Sequence, residues 1–76
     1  MTDSELANKA IEHLARLDKT NKRRPRPFGP KEITDAIGGV HTAIGRVADQ
    51  IVIELKARGV KIEYVRSGNK RHFELR

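Results

Sequence analysis

The stretch that decides the fold runs from Ile37 to Val47, IGGVHTAIGRV, in which Gly38 and Gly39 stand side by side and a third glycine follows at Gly45. Glycine is costly inside a helix and useful where the chain turns sharply or approaches another group closely. Apolar residues recur at helical spacing on both sides of the pair. We therefore interpret the glycine pair as a tight corner between two helices.

The residues before this corner predict a short helix from Pro30 to Ile37. Proline is tolerated at a first helical position, and acidic Glu32 suits the first turn. The residues after the corner predict a longer helix that begins at His41 or Thr42 and ends at Gly59. Its apolar stripe consists of Ile44, Val47, Ala48, Ile51, Val52 and Leu55.

The two ends of the chain show two different periods. Thr2 and Glu5 have the spacing of a capping box, and the apolar residues that follow predict a first helix from Asp3 to Asp18. Beyond Gly59 the period becomes two, with turn residues at Ser67 to Lys70, which predicts a β-hairpin with an exposed basic end.

Residues 19–29 form a basic, proline-rich connector between the first two helices. Pro25, Pro27 and Pro30 lie within six residues, and each disfavours helix at the residue before it. The sequence therefore predicts an extended connector. The basic residues in and beside it that are candidate DNA contacts are Lys22, Arg23, Arg24, Arg26 and Lys31.

This order of elements resembles the winged helix-turn-helix superfamily of DNA-binding domains over essentially the whole chain, residues 1–76. The best-matching residues are Ile33, Ile37, Gly38, Ile44 and Val47, followed by LKARG and IEYVRSGNKRHFEL. Thr34 departs from the pattern, since many such units carry alanine there. The resemblance implies a single α+β domain with three helices and a two-stranded C-terminal wing. It also implies a third helix in the major groove and a wing on the backbone or minor groove.

Composition restricts the possible functions. The chain carries 16 Lys and Arg against 10 Asp and Glu, a net charge of +6 that favours a polyanionic partner. It has no cysteine, its three histidines show no ligand spacing, and no local motif joins a nucleophile to a base. We expect neither an enzyme nor a cofactor or metal site. The absence of a long apolar run and of a signal-like start predicts a cytoplasmic protein without membrane contact.

The face of the third helix opposite its apolar stripe is the candidate base-reading surface. Arg46 can donate to guanine O6 and N7, Gln50 can pair with adenine, and Asp49 can accept from cytosine N4. Thr42 and Ile53 share this face, and Gly45 beside it would permit close backbone approach. The alternative is an ordinary solvated helix face, and the role of Ile53 stays open.

Two further surfaces are candidates for contact with phosphates. One is the hairpin end, with Arg66, Asn69, Lys70, Arg71 and His72, whose charges could alternatively serve solubility. The other is the connector, where Arg24-Pro25-Arg26-Pro27 resembles the Arg-x-Arg-Pro core of AT-hook segments, which bind narrow minor grooves. A general phosphate-attracting loop and a solvated linker are the alternatives for the connector.

The leading hypothesis is a small transcriptional regulator or accessory factor that binds double-stranded DNA selectively, as a homodimer or an array. A single copy buries little surface, which is why more than one copy is expected on DNA. The alternatives are a winged-helix protein-interaction module within a larger assembly and a non-specific architectural DNA binder.

Overall fold

The computed structural model describes residues 1–76 and contains three α-helices and one three-stranded antiparallel sheet. In chain order the elements are α1 Asp3–Thr20, β1 Arg26–Phe28, α2 Pro30–Ile37, a short 3-10 turn His41–Ala43, α3 Ile44–Ala57, β2 Ile62–Ser67 and β3 Lys70–Leu75. The sheet order is β1-β3-β2. The expected α+β class with three helices is confirmed.

The helices begin and end close to their predicted bounds. The Thr2 hydroxyl accepts a hydrogen bond from the Glu5 N–H at 3.1 Å, so the predicted cap is present, and α1 continues two residues past Asp18. α2 has the predicted bounds. The first turn of the predicted third helix is 3-10, so its α-helical part begins only at Ile44.

The glycine pair forms the corner between α2 and α3. Gly38 and Gly39 have φ values of 90° and 92°, a region that residues with a Cβ rarely adopt. A Cβ at Gly39 would also lie 3.1 Å from Leu6 Cδ1, so the side of α1 closes over the corner. Both the conformation and the close approach require glycine here.

The sheet differs from the predicted two-stranded wing. β2 and β3 form the expected hairpin around Gly68 and Asn69, with Ser67 opposite Lys70. The prediction of only two strands was wrong, because Arg26–Phe28 of the connector pairs with β3 as an edge strand, placing Phe28 opposite Phe73. A proline can occupy an edge strand, where one side needs no N–H donor, and this explains why Pro27 is compatible with β1.

The core lies between the three helices and one face of the sheet, and Phe28 and Phe73 are its largest fully buried side chains. Thr34, where the sequence departs from the helix-turn-helix pattern that it resembles, is the one buried polar residue. Its hydroxyl lies 3.2 Å from the carbonyl oxygens of Pro30 and Lys31, to which it can donate. The threonine is therefore accommodated without an unpaired polar group.

The direction of α3 relative to α1, and that of β2 relative to α3, determine where the surface residues lie. Arg46 contacts Asp3 and Arg58 contacts Glu12, so α1 and α3 run parallel. β2 then returns along α3 toward its beginning, where the Tyr64 hydroxyl lies 3.9 Å from the position of a Cβ at Gly45. The hairpin end and the first turns of α1 and α3 consequently lie at one end of the molecule.

Candidate nucleic-acid interface

The outer face of α3 carries the candidate base-reading residues. All of them are exposed: Thr42, Arg46, Asp49 and Gln50, together with Ile53. The apolar stripe on the opposite side, from Ile44 to Leu55, is buried in the core and sets this orientation. The face is close to electrically neutral, because Asp49 and Glu54 accompany its few cations.

Arg46 is joined to the first turn of α1. Its Nε donates to Oδ2 of Asp3 at 3.2 Å and its Nη2 donates to Oδ1 at 3.1 Å. These hydrogen bonds lower the pKa of Asp3 and raise that of Arg46, so both groups stay charged at neutral pH. Both side chains remain mostly exposed, at 64% and 52% for Arg46 and Asp3, so a ligand can reach the guanidinium.

The hairpin end presents a group of exposed positive charges. Arg66, Lys70 and Arg71 are exposed, and none has a carboxylate within ion-pair distance. The two-residue turn of Gly68, with φ 60°, and Asn69 holds Lys70 at the extremity of the molecule. These three cations lie at the same end of the molecule as the beginning of α3.

His72 and Arg66 have more specific surroundings than the sequence indicated. His72 is half-buried, with Nε2 3.6 Å from Oε2 of Glu74. The guanidinium carbon of Arg66 lies 5.9 Å from the centre of the Tyr64 ring, within cation–π range. Arg66 is thus oriented by a neighbour that also approaches α3, whereas His72 lies back along the strand.

Two connector arginines are engaged within the protein. Arg24 donates from Nη2 to the carbonyl oxygen and carboxylate of Asp18, at 2.7 and 2.9 Å. Arg26 donates to Glu32 at 2.9 Å, and its guanidinium carbon lies 4.5 Å from the centre of the Phe28 ring. These contacts tie the strand β1 to both flanking helices.

The remaining connector cations lie in two places, after the end of α1 and at the beginning of α2. Lys22 and Arg23 are exposed and follow the end of α1, about 26 Å along the helix from Asp3 at 1.5 Å per residue. The molecule itself extends only 29 Å along its longest axis. Lys31 lies in the first turn of α2, after β1 has run toward the hairpin end. The hairpin end therefore extends past Tyr64 on the side of the molecule where α3 begins, and Lys22 and Arg23 lie at the opposite end.

Ion pairs leave many more cations than anions without a partner. Five of the 16 basic side chains lie within 4.0 Å of a carboxylate, which leaves eleven without one. Only three acidic side chains, Glu5, Asp35 and Asp49, have no cationic partner. The positive field available to a partner thus arises mainly from unpaired lysines and arginines, three of which are at the hairpin end.

No group of three or more metal-ligating side chains is close enough to hold an ion, and no helix has the length and apolar character needed to cross a bilayer. Among known proteins, no family model, curated protein or solved structure matches this chain.

Sequence reasoning missed one residue of this surface. The sequence placed Asp3 in the first helix but did not indicate its ion pair, because Arg46 lies 43 residues away in sequence. The capping-box spacing at Thr2 and Glu5 fixed where α1 begins, but not which helix lies beside it. Only the parallel packing of α1 and α3 shows that Asp3 adjoins Arg46.

Proposed function

We propose that this protein binds double-stranded DNA selectively, as a winged helix-turn-helix domain. α2, the glycine corner and α3 would form the helix-turn-helix unit, and the β2–β3 hairpin would form the wing. The observation that carries the proposal is that Arg66, Lys70 and Arg71 have no carboxylate partner and belong to the hairpin whose Tyr64 hydroxyl approaches Gly45, in the first turn of α3. A polyanion attracted to the hairpin would meet Arg46 at the same end of the molecule.

The two surfaces would have different roles. Unpaired cations at the hairpin end would contact phosphates, which contribute affinity for any sequence and make binding sensitive to salt. Arg46 and Gln50 on α3 would contact base edges, where hydrogen-bond patterns differ between base pairs. Because the α3 face is nearly neutral, it adds little sequence-independent attraction for phosphates. Affinity would then come mainly from the hairpin end and selectivity from α3.

The Arg46–Asp3 contact is compatible with this role. Exposed ion pairs contribute little to stability, because water and salt screen them. The pair can therefore be rearranged or retained when a base approaches, without loss of the fold. Gly45, in the first turn of α3, leaves room for the backbone next to Arg46 to approach DNA.

A binding-site selection followed by fluorescence anisotropy at several salt concentrations tests the proposal. Arg46→Ala should relax base preference at one position, whereas Lys70→Ala should weaken all duplexes alike and reduce the salt slope by about 0.9. Lys61→Ala is the matched control, since Lys61 is also exposed and without a carboxylate partner but precedes the other end of the hairpin. Affinity that is independent of salt would exclude the phosphate-led mechanism, and equal affinity for unrelated duplexes would favour architectural binding.

The exposed apolar side chains favour one alternative, a winged-helix protein-interaction module. Ile53 is 69% exposed in the second half of the outer face of α3, and Val40 is 64% exposed in the corner. Exposed apolar residues on a helix face can pack against a second protein or a second copy. In that case Arg46→Ala and Lys70→Ala would both leave DNA binding unchanged.

A further inference from the structure

The contact between Arg46 and Asp3 uses one particular edge of the guanidinium. The two donors engaged are Nε and Nη2, which lie side by side and donate to the two carboxylate oxygens of Asp3. Nη1 and the second N–H of Nη2 point away from that edge and have no protein partner. They form a second fork, the geometry that matches guanine O6 and N7.

We propose that Asp3 is a positioning residue that determines specificity, because it holds Arg46 by the Nε–Nη2 edge and presents the opposite fork to a guanine. This inference rests on the proposed function, and it adds a residue of α1 to the base-reading apparatus. Asp3 itself would touch no base. It would act by fixing the direction of the Arg46 side chain before DNA arrives.

The position of Asp3 is set by well-ordered local structure. It is the first residue of α1, directly after the Thr2 cap. One turn further along, Leu6 is buried against the glycine corner that leads into α3. The start of α1 is therefore held next to α3 by the packing of Leu6, and this packing places the carboxylate of Asp3.

Arg46 is the α3 residue for which such support matters. A free arginine has many rotamers, and ordering it on binding carries an entropic cost that an existing partner reduces. Arg58, by comparison, is held by both Glu12 and Glu54, at 2.9 and 3.4 Å, and lies beyond the end of α3 away from the hairpin. Among the arginines of α3 and its C-cap, only Arg46 has one partner and a free fork at the hairpin end.

Neutralising Asp3 should change overall affinity and base preference in opposite directions. Asp3 is an anion near phosphates, so its neutralisation should raise affinity for unrelated duplexes. If it also positions Arg46, the same change should lower the preference for guanine. If Asp3 merely stabilised α1, its neutralisation would leave the preference for guanine unchanged.

The test compares Asp3→Asn with wild type on two duplexes that differ by one base pair, at the guanine position that depends on Arg46. We expect the preference for the guanine duplex to fall roughly 2- to 12-fold, the range that ordering one long side chain accounts for. Glu5→Gln is the matched control, because it removes the same charge from the same helical turn and Glu5 contacts no arginine. In an Arg46→Ala background, Asp3→Asn should have no further effect on the preference.

The outcomes separate this inference from the proposed function. If Arg46→Ala relaxes the preference and Asp3→Asn does not, the inference is overturned and the proposed function stands. If Asp3→Asn raises affinity for the guanine duplex as much as for the other, Asp3 only competes with DNA, which also overturns it. If the wild type binds no duplex, or Arg46→Ala has no effect on base preference, the proposed function fails and the inference fails with it.

Discussion

A Cβ atom placed on Gly39 would lie 3.1 Å from Cδ1 of Leu6, although Leu6 belongs to α1 and Gly39 to the corner between α2 and α3. Gly39→Ala should therefore lower the free energy of unfolding for two reasons. The positive φ costs about 1–2 kcal/mol for a residue with a Cβ, and the contact with Leu6 adds a steric cost. Urea denaturation measures the change. Gly59→Ala is the control, because Gly59 has a similar φ of 86° with no neighbour near its Cβ position. Equal losses for the two variants would mean that Leu6 moves aside without cost.

Gly45→Ala should have opposite effects on stability and on DNA binding. Gly45 lies in the first turn of α3, its φ is not positive, and an added Cβ would be at an ordinary 3.9 Å from the Tyr64 hydroxyl. The helix propensity of alanine should raise the free energy of unfolding by up to about 1 kcal/mol. The same methyl would obstruct close approach of DNA next to Arg46, so duplex affinity should fall. A variant that is more stable and binds equally well would remove Gly45 from the interface.

The elements of the fold that follow from local patterns could be predicted from the sequence. The bounds of α2, the cap at Thr2 and the two-residue hairpin turn each depend on neighbouring residues alone. β1 could not be predicted with the same rules, because its prolines indicate loop and its pairing partner lies more than 40 residues away. The available signal was Phe28, a large apolar side chain in a charged segment, which the structure shows fully buried.

The candidate site shows the same division between local and distant information. The exposed face of α3 follows from helical spacing, since the stripe opposite Arg46 is apolar throughout. The ion pairs that neutralise Arg24, Arg26 and Arg46 do not follow from spacing, because each depends on how elements pack. Charge counted along the chain therefore overestimated the connector as a free cationic surface relative to the hairpin end.

The connector and the hairpin should differ in their effect on salt dependence. Lys70→Gln with Arg71→Gln should reduce the salt slope by about 1.8, since each phosphate contact contributes about 0.9. Lys22→Gln with Arg23→Gln removes the same charge from the opposite end of the molecule and should reduce the slope much less on a short duplex. Anisotropy titrations between low and high salt provide both slopes. An equal reduction would place the connector on the same duplex as the hairpin.

Stability should decrease in mildly acidic solution because of His13. Burial, and secondarily the nearby charge of Arg16, lower the pKa of His13 below its ordinary value of 6.5, while the charge of Glu32 opposes the shift. The unfolded chain therefore takes up a proton before the native state does as the pH falls, so the free energy of unfolding should fall from pH 7 downward through about 6.5. His13→Gln should flatten this dependence between pH 7.5 and 5. An unchanged slope in that variant would assign the dependence to other groups.

Ile53 distinguishes the two classes of function. Because its side chain is 69% exposed, Ile53→Ser should change the free energy of unfolding by less than about 0.5 kcal/mol. Val52→Ser is the control, since Val52 is next in sequence but packs against the core, and it should be clearly more destabilising. If the proposed DNA-binding function holds through Arg46 and the hairpin, Ile53→Ser should leave base preference unchanged. A lost preference for thymine at one position would instead place Ile53 against a thymine methyl. If sedimentation experiments show a dimer that dissociates in the Ile53→Ser variant, the interaction module is favoured.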